Sequence, residues 1–160
     1  MAATDWAFGK KAGFSVMVLD VLKAAIVVSI VYFIKPEAAA LAGVFATLGH
    51  IYPLFANFKG GKAVSTAGGY LLAVSILIVH KPLELVVIPF IIFIGILKIT
   101  KFVSLSSMVS LSITVIISFL VSNNLEVSLY LLLIDLIVIY RHKANINRLL
   151  KGEESKVKWI

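Results

Sequence analysis

The sequence predicts an all-α, polytopic integral membrane helical bundle of about six transmembrane helices, forming a single membrane domain over residues 1–160. Three observations carry that expectation. Hydrophobic residues make up 61% of the chain and charged residues only 14%, with a mean hydropathy of +1.05, more apolar surface than a water-soluble domain of this size can use. The apolar residues fall in long runs, as needed to cross a hydrocarbon core about 30 Å thick as helices; in that solvent a backbone must satisfy its own hydrogen bonds. The basic residues, finally, gather in alternate connections.

The first run, Gly13–Ile34, holds Asp20 and Lys23. Charges inside a span are costly and face the bundle. At i and i+3 these two share a helix face, so they form either a structural ion pair or, through Lys23, the border of an anionic site. Lys35-Pro36-Glu37 breaks the chain before Ala38–Leu54. Val64–Val79 and Leu83–Leu97 follow, with short connections that favour antiparallel neighbours. Val103–Val121 is rich in small hydroxylated residues, from Ser104, Ser106 and Ser107 to Ser118. Ser106 and Ser110 suit close helix packing, while Ser104, Ser106 and Ser107 lie at the mouth beside Lys98 and Lys101. Val127–Tyr140 contains Asp135, with either Lys23 or a water-filled cleft as its expected partner. A polar, basic tail, Arg141–Ile160, closes the chain.

Charge orients the bundle. One side carries Lys10, Lys11, Lys59, Lys62, Lys98, Lys101, Arg141, Lys143, Arg148, Lys151, Lys156 and Lys158, and the other only Lys35 and Lys81. By the positive-inside rule both termini and the loop around Lys59 are expected to be cytoplasmic. The formal charge of +7 suits anionic lipid or anionic substrates. Nucleic acid is not expected, because the basic residues are scattered over loops. With no cysteine, disulfides, thiolate nucleophiles and thiolate metal sites are excluded. No cleavable signal peptide is expected, since Met1–Lys11 is short and polar.

The polar stretch Gly49–Thr66 interrupts two apolar runs. Gly60-Gly61 offers φ > 0 and close approach of the backbone to whatever lies there, Lys59 and Lys62 flank it, and the following helix supplies N-terminal N–H groups that suit a phosphate. A basic membrane-surface loop is the plainer reading of the same residues. At the other end, Tyr140-Arg141-His142-Lys143-Ala144-Asn145 reads either as an interfacial basic anchor or as a titratable group and an amide three apart on one helix face.

Taken in order, Gly49-His50…Phe58-Lys59-Gly60-Gly61-Lys62-Ala63-Val64, the serine segment Val103–Ser107, and Tyr140-Arg141-His142…Asn145-Ile146…Arg148-Leu149…Gly152 resemble the PlsY family, the bacterial acyl-phosphate:glycerol-3-phosphate acyltransferases. Asp20-Val21-Leu22-Lys23-Ala24 resembles its D-x-x-KG element. The resemblance runs from about Gly9 to Glu153. It implies a multi-pass enzyme of the bacterial cell (inner) membrane that needs no metal and no cofactor. That enzyme moves a fatty acyl group from acyl phosphate to the 1-hydroxyl of glycerol 3-phosphate, giving lysophosphatidic acid for phospholipid synthesis. It further implies His142, Asn145 and Ser107 as the catalytic residues. Lys59, Gly60, Gly61, Lys62, Ser104 and Lys23 are then the phosphate-binding ones. His142 is the candidate general base, with a substrate phosphate oxygen as the alternative. The family's preceding span and its GSGN-x-GATN-x-x-R loop have no counterpart in Met1–Phe8, and alanine replaces glycine at Ala24 and Ala63. A non-catalytic membrane paralogue that binds acyl or phosphate ligands, or a partner enzyme, is the competing expectation.

Overall fold

The computed structural model describes residues 10–54, 57–58 and 60–157. Among them every regular element is helical: α1 (Lys10–Ile34), α2 (Pro36–Ile51), α3 (Val64–Leu77), a π-helical turn (Leu83–Val87) running into α4 (Ile88–Thr100), α5 (Val103–Val121), α6 (Leu125–Arg141) and α7 (Lys143–Leu150). Two compact units divide at His80 and Lys81. The six expected apolar runs each correspond to one helix from α1 to α6. Gly13–Ile34, Leu83–Thr100 and Val103–Val121 are long and apolar enough to cross a membrane, and Val64–Leu77 is apolar but shorter.

The helix ends have local causes. Helix α2 stops at Ile51, short of the expected Leu54, because Tyr52 precedes Pro53, and proline disfavours the α region in the residue before it; Tyr52 N–H closes the last turn on Leu48 O at 2.8 Å. Pro89 can give no N–H, and its ring crowds the turn behind it. The widened π turn at Leu83–Val87 takes up that misfit, with Ile88 N–H reaching back to Leu83 O. Helix α4 runs three residues beyond the expected Leu97 and ends on Lys101 in the left-handed region, φ 62°. Helix α6 begins two residues early because Asn124 caps it, its side chain accepting from Val127 N–H at 3.2 Å.

In the first unit α1 packs on α2 and α3 through small residues. Ala24, Ala39, Ala40, Ala67 and Ala73 are buried, whereas Phe14, Leu19, Ile26, Ile30 and Phe33 on α1 are exposed. Large apolar side chains outside and small ones inside is membrane packing, where lipid takes the bulk and close backbone approach drives association. Gly69 marks the tightest crossing: a β-carbon there would strike the backbone carbonyl of Val21 on α1. At Gly43 it would strike the Tyr70 ring and Val28. In the second unit α5 joins its neighbours by hydroxyls, Ser110 donating to Pro89 O at 2.6 Å and Ser112 to Asp135 Oδ2 at 3.0 Å. The packing role expected of Ser110 is therefore seen. Asp135 takes Ser112 as its partner, and Lys23 takes Asp20.

Gly68 and Gly69 separate packing from propensity. Gly69→Ala should lower stability by about 1–3 kcal/mol through overpacking. Gly68→Ala, with open space around it, should be neutral or gain up to about 1 kcal/mol from helix propensity. Thermal unfolding in detergent checks the pair.

Candidate active site

In the first unit the loop before α3 lies on the end of α2. Gly60 N–H donates to Ile51 O at 3.2 Å, and a β-carbon on Gly60 would strike the carbonyls of His50 and Ile51. A β-carbon on Gly61 would strike His50 Nε2. Gly60 and Gly61 are thus glycines for close approach. The expected positive φ is not theirs: among the described residues Gly152 is the glycine with positive φ, and in this loop Asn57, Phe58 and Ala63 adopt it. Ala63, at φ 60°, is the N-cap of α3, so Lys62 immediately precedes the helix and its unpaired N–H groups. Thr66, in the first turn, is fully buried, and its Oγ1 has no hydrogen-bond partner. Helical side chains lean toward the N-terminus, which aims this hydroxyl at the Lys62 end. Sequence reasoning missed Thr66, whose place three residues into the helix was its signal. Lys23 is half-exposed and held by Asp20 at 3.1 Å, which also accepts from His50 Nδ1 at 3.2 Å. Lys59 lies outside the described residues.

In the second unit four expected residues are buried: Ser104 7%, Ser107 5%, His142 2% and Asn145 5% exposed. Ser104 and Ser107 stand in the first turns of α5. Ser107 Oγ donates to Val103 O at 2.7 Å. His142 is the joint between α6 and α7, and its Nδ1 lies 2.8 Å from Val138 O. A carbonyl only accepts, so Nδ1 carries the proton and Nε2 carries the lone pair of the neutral ring.

The tail, expected only as a polar extension, folds back. Helix α7 ends in a Schellman motif, with Gly152 at φ 72°, Gly152 N–H on Leu149 O at 3.1 Å and Glu153 N–H on Arg148 O at 2.8 Å. The reversal brings Glu154 in. Its Oε1 accepts from Ser104 Oγ at 2.6 Å and Asn145 Nδ2 at 2.6 Å, and its Oε2 from Arg148 Nε at 2.7 Å. Val157 N–H then reaches Lys101 O at 2.9 Å, and Lys156 Nζ sits 5.5 Å over the Phe102 ring. Burial pushes the Glu154 carboxyl up, but the hydrogen bonds from Ser104, Asn145 and Arg148 and the Arg148 charge outweigh it and hold the group below the usual glutamate value. A carboxylate only accepts, so the Asn145 amide must present Nδ2 to it. That leaves Asn145 Oδ1 buried and without a hydrogen-bond partner. The readable signal was Gly152 as a left-handed helix stop, which turns the next residues back.

The structure therefore gathers Gly60, Gly61 and Lys62 on one loop, and Ser104 and Asn145 on one carboxylate. Ser107 lies one turn from Ser104, and His142 three residues from Asn145. The model of the family described as Glycerol-3-phosphate acyltransferase matches residues 3–152. The chain belongs to this family. A glycerol-3-phosphate acyltransferase of Bacillus subtilis (strain 168) is 43% identical over 153 residues, covering 95% of this chain and 75% of the relative. One of Staphylococcus haemolyticus (strain JCSC1435) is 40% identical over 162 residues, covering 95% and 76%. Two crystal structures of PlsY (YgiH), an integral membrane glycerol 3-phosphate acyltransferase, superpose on it. The glycerol 3-phosphate form gives a TM-score of 0.85 at 34% identity. The lysophosphatidic acid form gives 0.84 at 35%, and each comparison covers 94% of this chain and 74% of the other. The family resemblance, the helical membrane fold and the acyltransferase class expected from the sequence are all met.

Two consequences are measurable. Ala63→Gly should raise stability by about 1–2 kcal/mol, because a non-glycine residue in the left-handed region costs that much; melting in detergent reads it. Glu154→Gln should cost about 1.5–3 kcal/mol at neutral pH, the worth of hydrogen bonds to a charged group. Because the folded carboxyl titrates below its ordinary value of 4.5, its stabilisation is complete above that pH and is lost as the pH falls through the lower folded-state value. The wild-type and Glu154→Gln melting curves should therefore converge in acid.

Proposed function

We propose that acyl phosphate is the donor, and that the acyl group goes to the 1-hydroxyl of glycerol 3-phosphate. As a member of its family, the protein is an acyltransferase of phospholipid synthesis acting on glycerol 3-phosphate. We place it in the bacterial cell membrane with both termini cytoplasmic, as the twelve-to-two distribution of basic residues favours.

One observation carries the assignment of the chemistry. His142, with its basic Nε2 fixed by the Val138 bond, lies three residues from Asn145, whose buried Oδ1 is an unused acceptor. Asn145 Oδ1 accepts from the attacking hydroxyl and orients it. The hydroxyl oxygen bonds to the acyl carbonyl carbon as the bond from that carbon to phosphate breaks. The hydroxyl proton passes to His142 Nε2 and from there to the departing phosphate. Acyl phosphate is already activated, so positioning and charge stabilisation supply most of the rate. Lys62, the N–H groups of α3 and the Thr66 hydroxyl take a substrate phosphate in the manner of helix N-termini. Ser104 serves chiefly to hold Glu154. Ser107, one turn deeper, is the serine that meets substrate.

Transfer from palmitoyl phosphate to glycerol 3-phosphate by purified protein tests this reading. Lys62→Ala should lose about 10- to 150-fold, the worth of one charge-assisted hydrogen bond to a buried phosphate, and Lys59→Ala about fivefold at most, the worth of one basic residue's attraction to anionic headgroups. Equal small losses would reduce the loop to a basic surface. His142→Ala should lose about 10²–10⁴-fold and its acid-side fall in rate. Near-normal turnover with an unchanged pH profile would transfer the role of base to the departing phosphate.

A further inference from the structure

Asp20 and His50 play no part in that chemistry, yet they form a half-buried polar pair against the loop. Their side chains are 14% and 15% exposed and come from α1 and α2, and Asp20 Oδ1 lies 3.2 Å from His50 Nδ1. The carboxylate is also 3.1 Å from Lys23 Nζ. It accepts only, so Nδ1 donates and the ring plane is fixed from that side. The opposite edge of the ring, Nε2, abuts Gly61 closely enough to exclude a β-carbon. Nε2 is thereby turned to backbone, so this histidine is poorly placed to exchange a proton with substrate. On the other side of Gly61 is Lys62. The contacts thus run without a gap from Asp20 through the imidazole to Gly61 and the lysine, while Gly60 is tied to Ile51 O at 3.2 Å.

We infer that Asp20 and His50 are positioning residues for the phosphate loop: the carboxylate sets the imidazole, and the imidazole sets the height of Gly61 and so of Lys62 and the first N–H groups of α3. The inference rests on the reading that this loop takes a substrate phosphate. A shift of about 1 Å in such a group costs up to about 10²-fold, so the effect should appear in substrate binding while the fold persists.

The experiment is a double-mutant cycle in the acyl-transfer assay, with KM for glycerol 3-phosphate and for palmitoyl phosphate read separately from kcat. His50→Ala should raise one of these KM values about tenfold or more with a smaller change in kcat, and the substrate affected identifies which phosphate the loop holds. Asp20→Ala should reproduce most of the effect, and Asp20→Asn, which keeps an acceptor for Nδ1, should restore most of it. Gly61→Ala alone should be strongly impaired because its methyl meets the ring. In the His50→Ala background the same methyl has room, so the double variant should be no worse than His50→Ala. Multiplicative losses in the double variant, or a fall in kcat alone, would overturn the inference. Lys62→Ala separates the two levels. If it leaves both KM values unchanged, the phosphate loop itself fails. If it raises a KM that His50→Ala does not, only the positioning role fails. Melting in detergent accompanies each variant, and loss of transfer that tracks loss of folded protein would assign the pair to stability alone.

Discussion

Hydrocarbon gives a backbone nothing to bond with, and the architecture of this protein follows from that constraint. Six apolar helices satisfy their backbone hydrogen bonds internally, and many of their large apolar side chains, Phe33, Ile99 and Leu120 among them, face outward. Polar chemistry is left to the places where a helix has to begin or end. Among the described residues, every expected site residue but one lies at such a place: Gly60 to Lys62 before α3, Ser104 and Ser107 in the first turns of α5, and His142 and Asn145 at the joint of α6 and α7. Lys23, well inside α1, is the exception, and it is taken up by Asp20. Helix ends bring unpaired N–H groups and carbonyls with them. The Val138 carbonyl that fixes the His142 tautomer and the N–H groups beside Lys62 are therefore consequences of helix ends as much as of side-chain choice.

The two units solve the same problem, fixing a short polar segment on an apolar bundle, in different ways. In the second, Ser104 on α5 and Asn145 and Arg148 on α7 are three donors, and the two buried ones, Ser104 and Asn145, would each be left unsatisfied without an acceptor at a cost of about 1–3 kcal/mol. One carboxylate, Glu154, answers all three. It does so by occupying only the donor end of Asn145, which keeps the acceptor end for another use. In the first unit the fixing is steric. Two residues without side chains are laid against the last turn of α2, and an imidazole held by Asp20 fills the space a side chain would take.

How much of this was legible in the sequence depends on the range of the interaction. Span existence was readable because it depends on composition over many residues, whereas the ends moved with local features: Pro53 after Ile51, left-handed Lys101 after α4 and the Asn124 cap before α6. The residues at the mouth were readable as chemical types, and the family pattern set them in order. Ser104, expected as a phosphate-binding residue, donates its hydroxyl to Glu154, fifty residues away. Such a pairing leaves no local periodicity to find. Gly60-Gly61 was read for positive φ and for close approach, and the structure shows only the close approach. A glycine pair in a loop is ambiguous between positive φ and close approach, and only the position of His50 decides between them.

The two alanines that stand in place of family glycines show why one substitution has no single physical meaning. Ala24 lies within α1, fully buried. There alanine is favoured over glycine by about 1 kcal/mol, since a helix interior charges glycine for its lost freedom. Ala63 caps α3 at φ 60°, where its β-carbon crowds the backbone at a cost of about 1–2 kcal/mol. The backbone ledger of the two changes comes close to balance, yet the gain and the cost fall in different places. The gain tightens a helix in the packed interior. The cost is held next to Lys62, on the residue that turns the loop into the helix. Of the two alanines, Ala63 is thus the one that carries a backbone cost.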